Sequence, residues 1–270
     1  MKSLIAALLF TLLAGCAAAP ANDPATATAL DAILGADHRL PEHRARDIHR
    51  HPKETLQFFG IRQDMTVVEV WPGAGWYTEI LAPLLRDRGK LYVALLDPAS
   101  GDYAKSTVES FRDKLDLRPD VYSKVAITTL AAPPAANQIA PPGSADLVLT
   151  FRNLHSWMMF GWEREALAAM HTALKPGGVL GVVAHRGNPN VPQDPKAASG
   201  YVNEDYAIAL IESVGFRLVA RSEINANPRD TKDYEKGVWT LPPGYADGNE
   251  ERYARLGESD RFTLKFVKSP

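Results

Sequence analysis

The chain has a single cysteine, Cys16, among its 270 residues. One thiol excludes a disulfide within the chain, a metal site built on cysteines and a cysteine nucleophile in the folded body. The histidines do not replace it as metal ligands. His49 and His51 are two residues apart, so their rings point to different sides of a helix, and no third ligand is evident. The sequence therefore predicts no metal site.

An excess of charge of one sign is also lacking. The 30 Lys and Arg residues nearly balance the 32 Asp and Glu residues, which gives a formal net charge of −2. Both signs are interspersed along the chain, and no basic stripe with interleaved aromatic residues is present. The composition therefore excludes nucleic acid as the expected partner.

Long hydrophobic runs are scarce, and the apolar run from Leu4 to Leu13 is far too short to span a bilayer permanently. It follows the basic start Met1-Lys-Ser, which is typical of a secretory signal. The small residues before Cys16 resemble a bacterial lipobox. That resemblance implies a lipoprotein signal peptide over residues 1–15 and lipidation of Cys16. Ala17 after the cysteine implies an exported, periplasmic protein anchored by lipid to the outer membrane. A cysteine present by chance in a signal cleaved elsewhere is the alternative.

Residues 16–40 are predicted to tether this anchor, because the stretch from Ala17 to about Thr28 is rich in Ala, Pro and Thr. Residues 41–270 are long enough for one sizeable domain. Strand and helix patterns alternate there, with two short helices over 41–59. The predicted helices cover 76–86, 103–115, 163–174 and 203–214. The predicted strands cover 66–70, 90–96, 121–130, 145–151, 179–185, 216–223 and, as an edge strand, 261–267. This alternation predicts an α/β fold, a Rossmann-like doubly wound sheet with helices on both faces.

The most informative stretch, residues 67–81, predicts a buried strand, a tight glycine turn and the start of a helix. Gly73 and Gly75 let the backbone approach a ligand closely, and the helix start offers free N–H groups. A small polar cofactor is therefore expected. The G-x-G-x-x-G pattern of dinucleotide sites would need a small residue where Thr78 stands. Thr78 and the acid Glu69 thus disfavour a nicotinamide-dependent oxidoreductase.

The run Glu69-Val-Trp-Pro-Gly-Ala-Gly75 resembles motif I of the class I S-adenosylmethionine (SAM) methyltransferases, acid-x-Gly-x-Gly-x-Gly, with Trp71 in place of the first glycine. Two later runs are similar to the fourth and fifth strands of that family: Ala145–His155 and Leu174–Leu180. The chain resembles in particular a group of exported bacterial methyltransferases. The resemblance implies SAM as cofactor and a seven-stranded sheet whose last strand is antiparallel.

By this resemblance, Glu69, Gly73 and Gly75 would surround the methionine part of SAM; their alternative is a structural turn. Asp97 ends the second strand, 22 residues beyond Gly75. A carboxylate there would accept hydrogen bonds from both ribose hydroxyls, although a turn residue before Pro98 is the alternative. Residues 127–131 contain no acid for the adenine amine.

The loop after the fourth strand would face both cofactor and acceptor, and it contributes Arg152 and Asn153 to the predicted cofactor site. Methyl transfer is an in-line displacement in which positioning contributes much of the rate. A base is needed only where the acceptor loses a proton, and histidine is the usual choice. His155 is the predicted base and His185 the reserve; each has a structural hydrogen-bonding role as its alternative.

The leading hypothesis is a SAM-dependent methyltransferase acting on a small molecule or a component of the cell envelope. SAM is made in the cytosol and should not cross a bilayer unaided, so a second hypothesis stands beside it. That hypothesis is a non-catalytic ligand-binding or interaction lipoprotein on the same fold. The long link over residues 225–243 exceeds usual loop lengths and is predicted to form a lid or a wall of the substrate site.

Overall fold

A computed structural model describes residues 23–135 and 137–269 of the chain. The predicted signal peptide and Cys16 lie outside the described residues. Within the described ranges, no helix is both long enough and apolar enough to cross a membrane.

Seven strands form one sheet in the order β3-β2-β1-β4-β5-β7-β6. Strands β1 to β6 run parallel, and β7 runs antiparallel between β5 and β6. The predicted Rossmann-like sheet with an antiparallel last strand is therefore confirmed. The strands are β1 Thr66–Val70, β2 Lys90–Leu95, β3 Ala126–Thr129, β4 Ala145–Phe151, β5 Leu174–His185, β6 Phe216–Ser222 and β7 Arg261–Lys268.

Helices cover both faces of the sheet, as the doubly wound pattern predicts. One apolar cluster packs α8, α9 and α10 against the sheet, and a second packs α1, α4, α5 and α6 against the other face. The helices are α1 Pro24–Leu34, α2 Pro41–Arg44, α3 Asp47–Arg50, α4 Pro52–Phe59, α5 Thr78–Leu85, α6 Asp102–Leu117, α7 Pro119–Tyr122, α8 Leu154–Phe160, α9 Glu163–Ala173, α10 Glu204–Glu212 and α11 Glu250–Ala254.

The prediction of an edge strand over 261–267 is wrong, because β7 lies inside the sheet. Its alternating pattern indicated one solvated face, but other elements cover the polar side chains of that face. Thr263 is fully buried and accepts a hydrogen bond from Asn225. Lys265 donates to the carbonyl oxygen of Phe58, in the last turn of helix α4.

Part of the predicted tether is helical, since α1 begins at Pro24 within that stretch. Asp23 caps the helix by accepting hydrogen bonds from the backbone N–H groups of Ala25 and Thr26, and proline suits its first position. Leu30 is fully buried in the core. The Ala- and Thr-rich composition of this segment concealed a helix that tertiary packing stabilises.

Three other local predictions differ from the structure. The helical stretch before β1 has three short helices instead of two, because a turn at Ala45 and Arg46 divides the part before Pro52 into α2 and α3. The predicted third strand is reduced to β3, with the short helix α7 at its start. Residues 175–178, predicted as a turn, belong to β5 at the point where its pairing with β4 is irregular. All three differences fall at element ends and leave the topology unchanged.

Candidate functional site

The predicted site residues gather at the carboxyl ends of β1, β2, β4 and β5. Strand β1 pairs with β2 on one side and with β4 on the other, so the chain order reverses between β1 and β4. Ligands of open α/β sheets bind outside the carboxyl ends of the strands at such a reversal. The topology therefore provides a crevice where the sequence analysis expects one.

The glycine turn after β1 has three left-handed positions. The φ angles are 48° at Trp71, 57° at Gly73 and 77° at Gly75. Trp71 thus keeps a backbone conformation that glycine favours, at the position where motif I has its first glycine. A Cβ on Gly73 would meet nothing within 4 Å, whereas one on Gly75 would lie 3.0 Å from the Phe111 ring. Gly73 therefore faces free space, and Gly75 serves the packing of α6 against the turn.

The acid of the motif is buried beneath this turn. Glu69 is only 1% exposed, and its carboxylate accepts a hydrogen bond of 2.6 Å from the hydroxyl of Thr78. Burial raises the pKa of Glu69 to about 7, against the opposing effects of Thr78 and Lys114. Thr78 stands where a dinucleotide site would have a small residue, and here it ties the acid to the first turn of α5.

The Trp71 side chain extends from the end of β1 towards the end of β3. Its indole N–H donates to the carbonyl oxygen of Leu130 at 3.1 Å. Its ring packs against Trp157 and Trp162, with centroid distances of 5.5 and 5.4 Å. The indole therefore forms a wall on the side of the crevice where β3 lacks an acid.

Asp97 and Asn153 lie on the two sides of the glycine turn. Asp97 accepts a hydrogen bond from the Ala99 N–H through Oδ1 at 2.9 Å, and its Oδ2 accepts none from the described residues. The amide of Asn153 donates to the carbonyl oxygens of Val70, at 2.9 Å, and Trp71, at 3.3 Å. Asn153 thus joins the β4 loop to the end of β1, while one Asp97 oxygen stays free for a ligand.

The structure brings the two predicted histidines together. The rings of His155, on α8, and His185, at the end of β5, have centroids 5.5 Å apart. Burial, and secondarily the charge of Arg152, lowers the pKa of His155 to about 4. Burial also holds the pKa of His185 well below its ordinary value. Both rings are therefore neutral near pH 7, and the lowered pKa makes each a weaker base than a free imidazole.

Different partners hold these two rings. His185 Nδ1 lies 2.5 Å from the hydroxyl of Ser259. His155 Nδ1 is buried and has no hydrogen-bond partner among the described residues. The ring of Trp239, in the long link, lies with its centroid 5.9 Å from that of His155. The link is thus a wall beside the predicted base, and its Asn225 amide anchors it to Thr55.

An arginine cluster beside the histidines escaped the sequence analysis. Four guanidinium groups surround the buried carboxylate of Glu258, which precedes β7. Their closest N–O distances to it are 2.6 Å for Arg46, 3.2 Å for Arg50, 3.8 Å for Arg152 and 3.0 Å for Arg261. Arg152 was predicted only as a single residue of the cofactor site. The others carry no local signal, because Arg46 and Glu258 are 212 positions apart.

The segment before β1 packs against the glycine turn and the start of α5. The indole N–H of Trp76 donates to the carbonyl oxygen of His43 at 2.9 Å. The carboxylate of Glu79 contacts His43 Nδ1 at 2.9 Å and Lys114 Nζ at 2.6 Å. These contacts fix α2, α5 and α6 around the turn, so the covering segment belongs to the folded domain.

A large cavity lies elsewhere, at the amino ends of the strands. Its volume is about 850 Å³, and Met65, Asp146 and Lys175 are among its lining residues. Asp146 and Lys175 pair with each other at 2.6 Å. None of the predicted site residues lines this cavity, so size alone does not identify the functional site. Within the described ranges, no group of three or more His, Cys, Asp or Glu side chains could hold a metal ion.

No protein-family model matches the chain, and no curated protein matches it in sequence. Solved structures do resemble it. A SAM-dependent methyltransferase from Aquifex aeolicus has a TM-score of 0.55 at 16% identity, over 89% of this chain and 97% of that chain. The [4+2]-cyclase SpnF has a TM-score of 0.55 at 15% sequence identity, over 90% of this chain and 92% of that chain. The SAM-dependent methyltransferase SibL has a TM-score of 0.52 at 14% sequence identity, over 85% of this chain and 57% of that chain.

These likenesses show that the chain has the fold of SAM-dependent methyltransferases. At 14–16% identity they show the fold alone. One of the three structures is named for a cyclisation, so the fold by itself leaves the reaction open. The chemistry has to be argued from the crevice.

Proposed function

We propose that the chain is a SAM-dependent methyltransferase. The observation that carries the proposal is the left-handed glycine turn directly after β1, with Gly73 facing free space. Asp97, at the end of the neighbouring strand, keeps one carboxylate oxygen without a partner among the described residues. Together they offer a close backbone approach and a ribose acceptor, which is what this nucleoside cofactor needs.

In the proposed reaction, the residues of the chain position the two reactants. The turn would hold the methionine part of SAM, and Asn153 would keep the β4 loop against the end of β1. SAM supplies the methyl group from its sulfonium. His155, neutral and with an unpartnered nitrogen within the described part of the chain, would accept a proton from the acceptor where one must leave. His185 is held by Ser259 and would support it.

A non-catalytic ligand-binding protein on this fold is the second candidate. The Trp71 indole favours it, because this large side chain stands where motif I has a glycine and reaches across to Leu130. Trp71, which packs on the buried Trp157 and Trp162, can offer its ring to a ligand without any reaction. Turnover distinguishes the two candidates, since only a methyltransferase converts SAM to S-adenosylhomocysteine.

Titration calorimetry on residues 16–270 with SAM, S-adenosylhomocysteine and NAD tests the proposal. Micromolar to low-millimolar binding of both sulfur ligands, with no heat from NAD, is the expected result. Failure of both sulfur ligands at millimolar concentration would overturn it. Binding of both without any methyl transfer to small-molecule or envelope extracts would favour the non-catalytic candidate.

We also propose that the mature protein is exported and lipid-anchored through Cys16, on the lipobox resemblance alone. Labelling of cells with a palmitate analogue should mark the wild-type protein and spare Cys16→Ser. Equal labelling of both proteins would refute the anchor. Detection in the periplasm without a label would support export through a signal cleaved at another position.

A further inference from the structure

The arginine cluster around Glu258 holds more positive charge than its carboxylate balances. Arg46, Arg50, Arg152 and Arg261 face one acid. Burial, together with the neighbouring arginines, lowers the pKa of Arg50 well below its ordinary value, and burial lowers that of Arg152 to about 10 despite Glu258. A partly buried excess of cations is unfavourable unless another anion joins it.

Three other arginines already share the Glu258 carboxylate. Its Oε1 accepts a hydrogen bond from Arg46 Nε at 2.6 Å, and the single Arg50 Nε–H is divided between Oε1 at 3.3 Å and Oε2 at 3.2 Å. Arg261 Nη1 forms an ion pair with Oε2 at 3.0 Å. Arg152 stays 3.8 Å away, beyond hydrogen-bond distance. Its guanidinium donates no hydrogen bond to any described residue.

A second arginine also has donors to spare. Arg50 is 3% exposed, and its Nη2 is buried without a partner among the described residues. Arg50 Nε and Arg152 Nη1 lie 3.2 Å and 3.8 Å from the same oxygen, Oε2 of Glu258. Because 27% of the Arg152 side chain is exposed, solvent and a dissolved anion can reach the cluster.

The position of the cluster connects it to the acceptor side of the proposed reaction. Arg152 directly follows β4, and its charge contributes to the lowered pKa of both His155 and His185. Arg261 pairs with His185 in the register of β7 against β5. The backbone of Arg152 is left-handed, with φ at 64°, a strained conformation of the kind that clusters at functional sites.

We propose that this cluster binds an oxyanion, a carboxylate or phosphate group of the molecule that receives the methyl group. The planar guanidinium fork matches both anions in a bidentate geometry. As an assignment of the acceptor class, the inference rests on the proposed methyltransferase function. The anion site itself can be tested without any turnover.

The test is a titration of the wild-type chain with inorganic phosphate and, separately, with acetate, each against chloride at equal ionic strength. Saturable binding of one anion is expected, and the preferred anion distinguishes a phosphate ester from a carboxylic acid. Arg152→Gln should weaken that binding roughly tenfold or more, on the scale of a charged hydrogen bond. Arg221→Gln, an exposed arginine on β6 that pairs with Glu204, is the matched control and should bind as wild type.

Binding no stronger than that of chloride, or equal binding by wild type and Arg152→Gln, would overturn the inference. If circular dichroism shows Arg152→Gln to be unfolded, Arg152→Lys takes its place, because lysine keeps the positive charge beside Glu258 but lacks the guanidinium fork that binds an oxyanion in a bidentate geometry. Titration of the same samples with S-adenosylhomocysteine separates the two proposals. If the chain binds the anion but not S-adenosylhomocysteine, the methyltransferase proposal is refuted and the anion site stands. If it binds S-adenosylhomocysteine but not the anion, only the proposed anion site is refuted.

Discussion

The crevice has two halves that are built in different ways. The proposed cofactor half is centred on the glycine turn of residues 69–78, which is held by backbone geometry and one buried acid. The proposed acceptor half, around Glu258, comes from segments far apart in sequence and is held by ion pairs. The comparison teaches that the glycine turn is encoded locally, whereas the arginine cluster depends on the complete fold. Four substitutions test this contrast.

Glu258→Gln should have the largest effect, because it leaves four arginines around a neutral side chain. Removal of one partner from a buried ion pair costs about 3–5 kcal/mol of unfolding free energy. Urea denaturation measures the loss. Glu223→Gln is the control, since Glu223 also pairs with an arginine, Arg186, but is 67% exposed; it should change stability by less than about 1 kcal/mol. Equal losses in the two variants would mean that the cluster is not a buried network.

Glu69→Gln should act in the opposite direction. The folded pKa of about 7 lies above the ordinary value of 4.5, so the stability that this acid contributes is complete below pH 4.5 and lost as pH rises through 7. At 1.36 kcal/mol per pKa unit, the amide should gain about 3 kcal/mol over wild type at pH 8 and almost nothing at pH 4.5.

Urea denaturation of both proteins between pH 4.5 and 8 measures this gap. Glu109→Gln, at an exposed position of α6, provides the matched control and should follow the wild-type curve. A constant difference between Glu69→Gln and wild type across that range would contradict the burial argument. It would also remove the distinction between the half of the crevice that contains a buried acid and the half that is held by ion pairs.

Asp97→Ala should weaken S-adenosylhomocysteine binding by about 1–3 kcal/mol, the scale of charge-assisted hydrogen bonds to the ribose. Calorimetry measures this change. Asp97→Asn keeps an acceptor for the Ala99 N–H, so it preserves the turn and isolates the ligand contact. Wild-type affinity in Asp97→Ala would reduce Asp97 to a turn residue.

Gly73→Ala should have the smallest effect on folding, about 1 kcal/mol, because a left-handed alanine is strained but meets no neighbour. Gly143→Ala is its matched control: its φ is 64°, it also has free space, and it lies before β4 at the opposite end of the sheet. Both variants should lose similar stability by thermal unfolding. Only Gly73→Ala should weaken S-adenosylhomocysteine binding, and equal affinities would show that no ligand approaches the turn.

The geometry of the glycine turn could be predicted from the sequence, whereas the arginine cluster could not, for a physical reason. Alternating strand and helix periods, and glycines at left-handed positions, are local properties that any short window contains. The inward position of β7 depends on what covers Thr263 and Lys265, and those partners come from α4 and the long link. Glu258 and Arg50, 208 positions apart, meet only when the sheet is complete.

Helix α8 illustrates the same limit at short range. Residues 154–160 were expected to be loop, yet they form a helix that ends at Gly161 and buries Trp157 completely. The run Leu154-His-Ser-Trp-Met-Met-Phe has no polar face that would indicate a surface helix. Burial of this helix against the sheet, together with the contacts of Trp157 with Trp71 and Trp162, stabilises it, although the local sequence pattern does not indicate a helix.

The inward position of β7 also sets an order of assembly. Strand β6 is an edge strand of the sheet and is hydrogen-bonded to β7 alone. Wherever the chain folds, β6 cannot join the sheet before residues 261–268 are available, although β1 to β5 can already pair. Until then one edge of β5 has unpaired backbone N–H and C=O groups, which makes the intermediate prone to aggregation. The arginine cluster around Glu258 also forms only when β7 joins the sheet, because Arg261 is the first residue of β7 and Glu258 lies three residues before it.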